Sequence, residues 1–114
     1  VAAQTEFGVG DGANGAAAVS GSRTSGVLST IFGVRDLTAP VELGTYLNTV
    51  VGSFIVDTTT LTSANSEVVR IGRLSGAGTE YSDMEFFTAG VWRQALTLDE
   101  ITELDTYLKA GPYQ

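Results

Sequence analysis

Three carboxylates in one short stretch of the chain are the residues best suited to chemistry: Glu80, Asp83 and Glu85. A pair of flanking carboxylates is what glycoside hydrolysis requires. On a strand, Asp83 and Glu85 would share one face, because successive side chains alternate between the two faces. The position two residues before Asp83 is Tyr81, and Glu80 would face the other way. This broken alternation predicts that the protein is not an enzyme, and we assign no catalytic residue.

The same stretch has a second interpretation, as a binding loop. Tyr81 is flanked by Glu80 and Asp83 and follows a segment that contains Gly76 and Gly78. Sugar sites combine an aromatic ring, on which the sugar stacks, with polar groups that orient its hydroxyls. We therefore predict Tyr81, Asp83 and Glu80 as ligand-binding residues; the alternative is a solvated loop without a ligand.

A glycine-rich segment near the start of the chain suggests a phosphate loop or a calcium loop at first reading. Its alternating glycines, which begin at Gly8, do not form a Walker A motif, because no lysine follows them. Asp11 and Asn14 supply one carboxylate and one amide, fewer oxygens than calcium takes. We predict a turn here, with no metal and no cofactor. Calcium binding is the alternative, and no cluster of ligand residues in the sequence supports it.

The charge of the chain limits its partners. Six basic and thirteen acidic residues among 114 give a net charge of −7, and Lys109 is the single lysine. We expect no nucleic-acid partner, because phosphate binding needs clustered Lys and Arg. The chain has neither cysteine nor histidine, which excludes thiolate sites and, in practice, zinc catalysis. No apolar run approaches the ~20 residues of a transmembrane helix, so we expect no membrane insertion.

Short apolar segments separated by turn residues predict an all-β fold in one domain, residues 1–114. The predicted strands lie around residues 5–7 and over 27–34, 41–51, 54–56 and 68–73, and the small, polar segment 16–26 is compatible with an edge strand plus a loop. The segment 27–34 reads as a central strand and 41–51 as a half-buried one, with Pro40 and the pair Asn48 and Thr49 at turns. Many short strands followed by one helix favour an antiparallel β-sandwich.

The end of the chain predicts a strand that leads into a capped helix. Phe86, Phe87, Val91 and Trp92 have strand propensity, and we expect Trp92 in the core beneath the helix. Because the period then becomes helical, the sequence predicts an α-helix after the Ala95 and Leu96 pair.

The ends of that helix are marked by capping residues. Thr97 is the predicted N-cap and Glu100 closes a capping box. Gly111 is the predicted left-handed C-cap, before Pro112 stops the helix. The apolar stripe is Ile101, Leu104 and Leu108, and the side chains expected to face water are Thr102, Glu103, Asp105 and Thr106.

The C-terminal run begins with residues 91–101, Val-Trp-Arg-Gln-Ala-Leu-Thr-Leu-Asp-Glu-Ile, and continues with Leu104 and the pair Tyr107 and Leu108. This run resembles the closing strand and helix of laminin G-like, concanavalin A-like jelly-roll modules. Residues 69–73, Val-Arg-Ile-Gly-Arg, resemble the strand that such modules place before the final loop. One departure is Thr88, where the family often has an acid. The resemblance covers about residues 43–113, and it implies a jelly roll that binds glycans or proteins through its loops, often with calcium. The chain would then be the C-terminal part of a larger module or protein.

These features predict a non-enzymatic extracellular recognition or assembly module. Its richness in Gly, Ala, Thr and Ser suits a structural component of a bacteriophage particle, such as a fibre or capsid-decorating protein, or a similar surface protein. We expect a location outside the cell or on a virion surface, with a glycan or neighbouring protein subunits as partners and assembly with other chains. The alternatives are a carbohydrate-binding module of a secreted enzyme and a glycoside hydrolase of concanavalin A-like fold.

Overall fold

The computed structural model describes residues 4–10, 14–59 and 87–111. The elements in these ranges are β1 (Gln4–Gly10), β2 (Gly15–Ser22), β3 (Ile31–Asp36), β4 (Glu42–Leu47), β5 (Val50–Val56) and α1 (Leu98–Ala110). The strands form two antiparallel sheets, β1–β2 and β3–β4–β5. The predicted β-rich fold with a short C-terminal helix is therefore confirmed.

The first sheet is a hairpin. Gly10 pairs with Gly15, so the connection between β1 and β2 is short, as the predicted glycine-rich turn requires. The hydroxyls of Thr5 and Ser20 form a buried hydrogen bond between the two strands. Asp11 of the calcium hypothesis lies outside the described residues.

The third strand begins later than its apolar pattern predicts. The Thr30 amide donates to Asn48 Oδ1 at 3.0 Å, and the Asn48 amide donates to the Thr30 carbonyl at 2.9 Å. These bonds tie Thr30 to the β4–β5 turn, so ladder pairing starts at Ile31. Val27 follows a turn at Gly26, where φ is +74°. The strand predicted over 27–34 is therefore found at Ile31–Asp36, and among the described strands β4, not β3, lies between two others.

A tight turn at Asn48 and Thr49 joins β4 to β5, as predicted. Both residues have positive φ, 50° and 69°, which suits the right-handed twist of a two-residue hairpin. The second strand of this hairpin starts directly at Val50, earlier than the 54–56 segment predicts. A register shift between Gly44 and Tyr46 accommodates the extra residue of β5.

The three-stranded sheet has a layer on each face. Phe32, Val34 and Tyr46 point to one face, where they form a buried cluster with Ile101 of α1. The β1–β2 hairpin packs on the other face, where a Cβ at Gly33 would collide with the Phe7 ring. Residues 43–47 are therefore buried on both sides. The prediction of a half-buried strand was wrong because alternation cannot show that a second layer covers the polar-looking face.

The C-terminal helix begins as predicted. The Thr97 amide donates to Glu100 Oε2 at 2.7 Å and the Glu100 amide donates to Thr97 Oγ1 at 3.3 Å, which is a complete capping box. Ile101 is fully buried, whereas Leu104 and Leu108 are partly buried. Gly111 ends the helix in an extended conformation with φ −82°, so the left-handed C-cap was a wrong prediction.

Two other predictions for this region are corrected. Residues 87–97 contain no strand, and Trp92 is 46% exposed, so it is not a core residue. Ala95 and Leu96 pack against the core cluster in its place. Asp105, which we expected to face water, accepts a hydrogen bond from Thr30 Oγ1 and pairs with Lys109 Nζ at 2.8 Å. In both cases the position of the helix over β3 and β4 decides which side chains are covered.

Candidate functional site

The binding residues predicted from the sequence, Glu80, Tyr81 and Asp83, lie outside the described residues, as does Glu85. Their role as a ligand loop stays a prediction. Within the described residues, one candidate for a binding site is an open groove beside α1, which the sequence did not indicate.

The groove has a volume of about 390 Å³ and is open to solvent. It lies between α1 and the segment that precedes the helix, and its lining residues are Trp92, Gln94, Leu96, Glu100, Glu103, Leu104 and Tyr107. Leu96 and Leu104 also pack against the core cluster, so the apolar part of the groove is continuous with the core.

The helix supplies four of these residues through its period. Glu100, Glu103, Leu104 and Tyr107 are spaced i, i+3, i+4 and i+7, which places them on one stripe of an α-helix. The capping box sets where the helix starts, and the buried side chain of Ile101 sets its rotation about the sheet. The sequence thereby turns this stripe toward the 92–96 segment.

Two aromatic rings line the groove and are open to solvent. Trp92 is 46% exposed and Tyr107 is 73% exposed. The Trp92 indole packs against the backbone of Gly90, where an added Cβ would come within 2.7 Å of Trp92 Cη2. Exposed aromatic rings with a polar edge are typical of interaction surfaces, because they combine a large apolar area with a hydrogen-bonding group.

The polar lining residues are two carboxylates and an amide. Glu100 Oε2 accepts hydrogen bonds from the Thr97 amide at 2.7 Å and from Thr97 Oγ1 at 2.9 Å. These bonds, the one from the backbone first, hold the pKa of Glu100 below its ordinary value, so its carboxylate is ionised at neutral pH. Glu103 is exposed one turn further along, and Gln94 completes the polar set.

The direction of the Glu100 pKa shift bears on one chemical role, that of a general acid. A general acid for glycoside hydrolysis needs a carboxyl group with a raised pKa, and the pKa of Glu100 is moved in the opposite direction. The described residues also contain no group of three His, Cys, Asp or Glu side chains that could hold a metal ion.

A second polar cluster joins the end of β3 to the residues after β5. Arg35 Nε donates to Asp57 Oδ2 at 2.7 Å, and the amide and hydroxyl of Thr59 donate to Asp57 Oδ1 at 2.8 and 2.6 Å. The hydroxyl bond from Thr59 is the main cause of a lowered pKa at Asp57, with the Thr59 amide and Arg35 acting in the same direction and burial opposing them. Because these contacts occupy both carboxylate oxygens, we assign the cluster a structural role.

The groove escaped the sequence analysis for a specific reason. Glu103 was predicted to face water, which is correct, but Tyr107 was treated only as part of the helix resemblance and Trp92 as core. The available signal was the spacing of Glu100, Glu103 and Tyr107 along one stripe beside the apolar stripe of Ile101. That spacing indicates a polar and aromatic helix face, but not which segment lies opposite it.

Comparison of the chain with protein-family models, curated proteins and solved structures finds no match. The resemblance to laminin G-like modules therefore stays a prediction. Among helices in the described ranges, none has the length and hydropathy needed to span a bilayer.

Proposed function

We propose that this chain is a non-enzymatic recognition or assembly module and that its partner binds in the groove beside α1. The observation that carries the proposal is the presence of two solvent-exposed aromatic rings, Trp92 and Tyr107, in one groove with an apolar base. Apolar surface left open in this way is stabilised when a partner removes it from water.

The wider setting of the module is part of the same proposal. The composition and acidic charge support a surface protein outside the cell or a structural component of a bacteriophage particle. The packing of the β1–β2 hairpin against the β3–β4–β5 sheet supports a small sandwich of the concanavalin A-like jelly-roll kind. The partner is then a glycan or a neighbouring protein subunit.

A specific observation supports assembly with other chains. Several side chains of β5 are exposed and apolar: Val50, Val51, Phe54 and Val56. Exposed apolar side chains grouped on one strand favour association between chains, because association removes them from water. Light scattering of the wild type against Val51→Lys measures this property, and equal monomeric mass for both proteins at high concentration would contradict it.

A carbohydrate-binding module is the alternative function, because aromatic rings beside carboxylates and an amide suit sugar hydroxyls as well as side chains. A glycoside hydrolase is the second alternative. Within the groove it is disfavoured by the lowered pKa of Glu100, and turnover of any glycan by the purified chain would restore it.

The chain has one tryptophan, so its fluorescence reports directly on the groove. The test is a titration of the full chain with panels of neutral oligosaccharides and short peptides, followed by Trp92 emission. We expect at least one panel member to change the emission and to bind more weakly to Tyr107→Ala. Leu37→Ala is the control, because Leu37 is an exposed apolar residue outside the groove lining.

The proposal is wrong if no member of either panel changes Trp92 emission. It is also wrong if Tyr107→Ala and Leu37→Ala bind with the same affinity as the wild type, because the partner would then bind elsewhere on the molecule.

A further inference from the structure

We infer that the groove beside α1 binds a cationic side chain, an arginine presented by a basic segment of a protein partner. This inference rests on the proposed function, since it names the ligand class of the same groove. It follows from the charges and the ring faces that the groove presents.

The charges around the groove are complementary to a cation. Glu100 and Glu103 are the two charged residues among the seven described ones that line the groove. The exposed Arg93 lies between Trp92 and Gln94 in the chain but does not line the groove. Lys109 forms an ion pair with Asp105, one helical turn before it, at 2.8 Å. The chain as a whole carries a net charge of −7, which attracts a cation from a distance and repels an anionic ligand.

The two aromatic rings of the groove also favour a cation. The faces of Trp and Tyr rings carry partial negative charge, so they attract a cation placed over them. Trp92 and Tyr107 line the same groove as the carboxylates and are both exposed. A planar guanidinium can stack on a ring while it donates hydrogen bonds to a carboxylate, which a lysine ammonium does less well. This combination favours arginine.

The shape of the groove favours a side chain over a small molecule. Pockets for small molecules enclose most of the ligand surface, whereas this groove of about 390 Å³ is open to solvent. An open groove of that size can take a side chain whose own main chain remains outside. The occupant is therefore a residue of a protein segment. Glu103 is its main carboxylate partner, because Oε2 of Glu100 already accepts two hydrogen bonds from Thr97.

The experiment uses three blocked pentapeptides of the form Gly-Xaa-Gly-Xaa-Gly, in which Xaa is arginine, lysine or citrulline. Citrulline has nearly the shape of arginine but carries no charge. Each peptide is titrated into the full chain at low and at physiological ionic strength, and Trp92 emission is recorded. We expect the arginine peptide to bind most tightly, the citrulline peptide least, and binding to weaken as salt increases.

Two variants locate the binding in the groove. Glu103→Gln and Tyr107→Ala are each expected to weaken binding of the arginine peptide by about two- to fivefold, the range for exposed ion pairs and cation–π contacts. Glu6→Gln is the matched control, since it removes the same charge from an exposed position on β1, in the hairpin on the opposite face of the sheet. It should leave the affinity unchanged.

Several results would overturn the inference, and they are distinguishable from failure of the proposed function. Equal binding of the arginine and citrulline peptides would exclude recognition of charge. An equal effect of Glu6→Gln and Glu103→Gln would show general attraction to an acidic protein. If neutral oligosaccharides change Trp92 emission and the arginine peptide does not, the groove binds a glycan and only this inference fails. If neither class does, both proposals fail.

Discussion

Replacement of Ile101 with alanine tests how α1 is attached to the sheet. Ile101 is fully buried and forms the core cluster with Phe32, Val34 and Tyr46. The substitution removes three carbon groups, each contributing about 0.8 kcal/mol of transfer free energy, or about 2.4 kcal/mol together. The cavity left behind raises the expected loss to about 3–4 kcal/mol, within the range of about 2–5 kcal/mol for this kind of substitution.

A loss of that size is large for a chain of 114 residues. Domains of this kind have unfolding free energies of about 5–15 kcal/mol, so Ile101→Ala would remove between about a fifth and about four fifths of the total. Urea unfolding followed by circular dichroism and by Trp92 emission measures the difference. Leu98→Ala is the matched control, because Leu98 belongs to the same helix but is 50% exposed, and it should lose only about 1 kcal/mol.

The reasoning fails if Ile101→Ala is no more destabilising than Leu98→Ala. The helix would then not be held by burial of Ile101, and the direction in which its Glu100, Glu103 and Tyr107 stripe faces would lose its physical basis. A large loss for both variants, with a lowered denaturant slope, would instead indicate that the unfolded reference state had changed.

Three further substitutions test local features by the same urea assay. Thr97→Ala should lose about 1 kcal/mol through the missing N-cap, whereas Thr97→Ser should be close to wild type; equal stability of all three proteins would contradict the capping role. Thr45→Val should gain about 1 kcal/mol, because the buried Thr45 hydroxyl has no hydrogen-bond partner, and a loss would show that the hydroxyl is satisfied. The folded-state pKa of Asp57 is lowered from 3.8, so its carboxylate stabilises the folded state above that pH. This stabilisation is lost as the pH falls through the folded-state pKa. Asp57→Asn should therefore flatten the acid limb of a stability profile, and an unchanged limb would contradict this.

The parts of the fold that the sequence predicted are those decided by short-range chemistry. The capping box at Thr97 and Glu100 depends on residues three apart, and it formed as predicted. The turn at Asn48 and Thr49 depends on residues that accept positive φ. Local signals of this kind do not require knowledge of the partner element.

The parts that failed depend on contacts distant in sequence. Trp92 is a large aromatic residue of the kind that core strands contain. The face of the sheet that it would cover is already covered by Ile101 and Leu96. β4 is buried on both faces because a separate hairpin lies against it, which its own alternation does not record. The groove was missed through the same error, since it exists only because Trp92 is outside the core. The predicted site at Tyr81 lies outside the described residues and stays untested.

The residue that holds α1 to the sheet and the residues that line the groove lie on adjoining stripes of the helix, so stability and the proposed binding can be tested by separate substitutions. Tyr107 is largely exposed, and its replacement should leave the unfolding free energy within about 0.5 kcal/mol of wild type. Glu100 is the exception, because it both closes the capping box and lines the groove. Glu100→Gln keeps a side chain that can close the box but removes the charge, whereas Glu100→Ala removes both. We expect Glu100→Gln to lower the affinity for the arginine peptide while it changes the free energy of unfolding little. If Glu100→Gln and Glu100→Ala lose the same stability, the charge of Glu100, and not the capping box, supports the start of the helix.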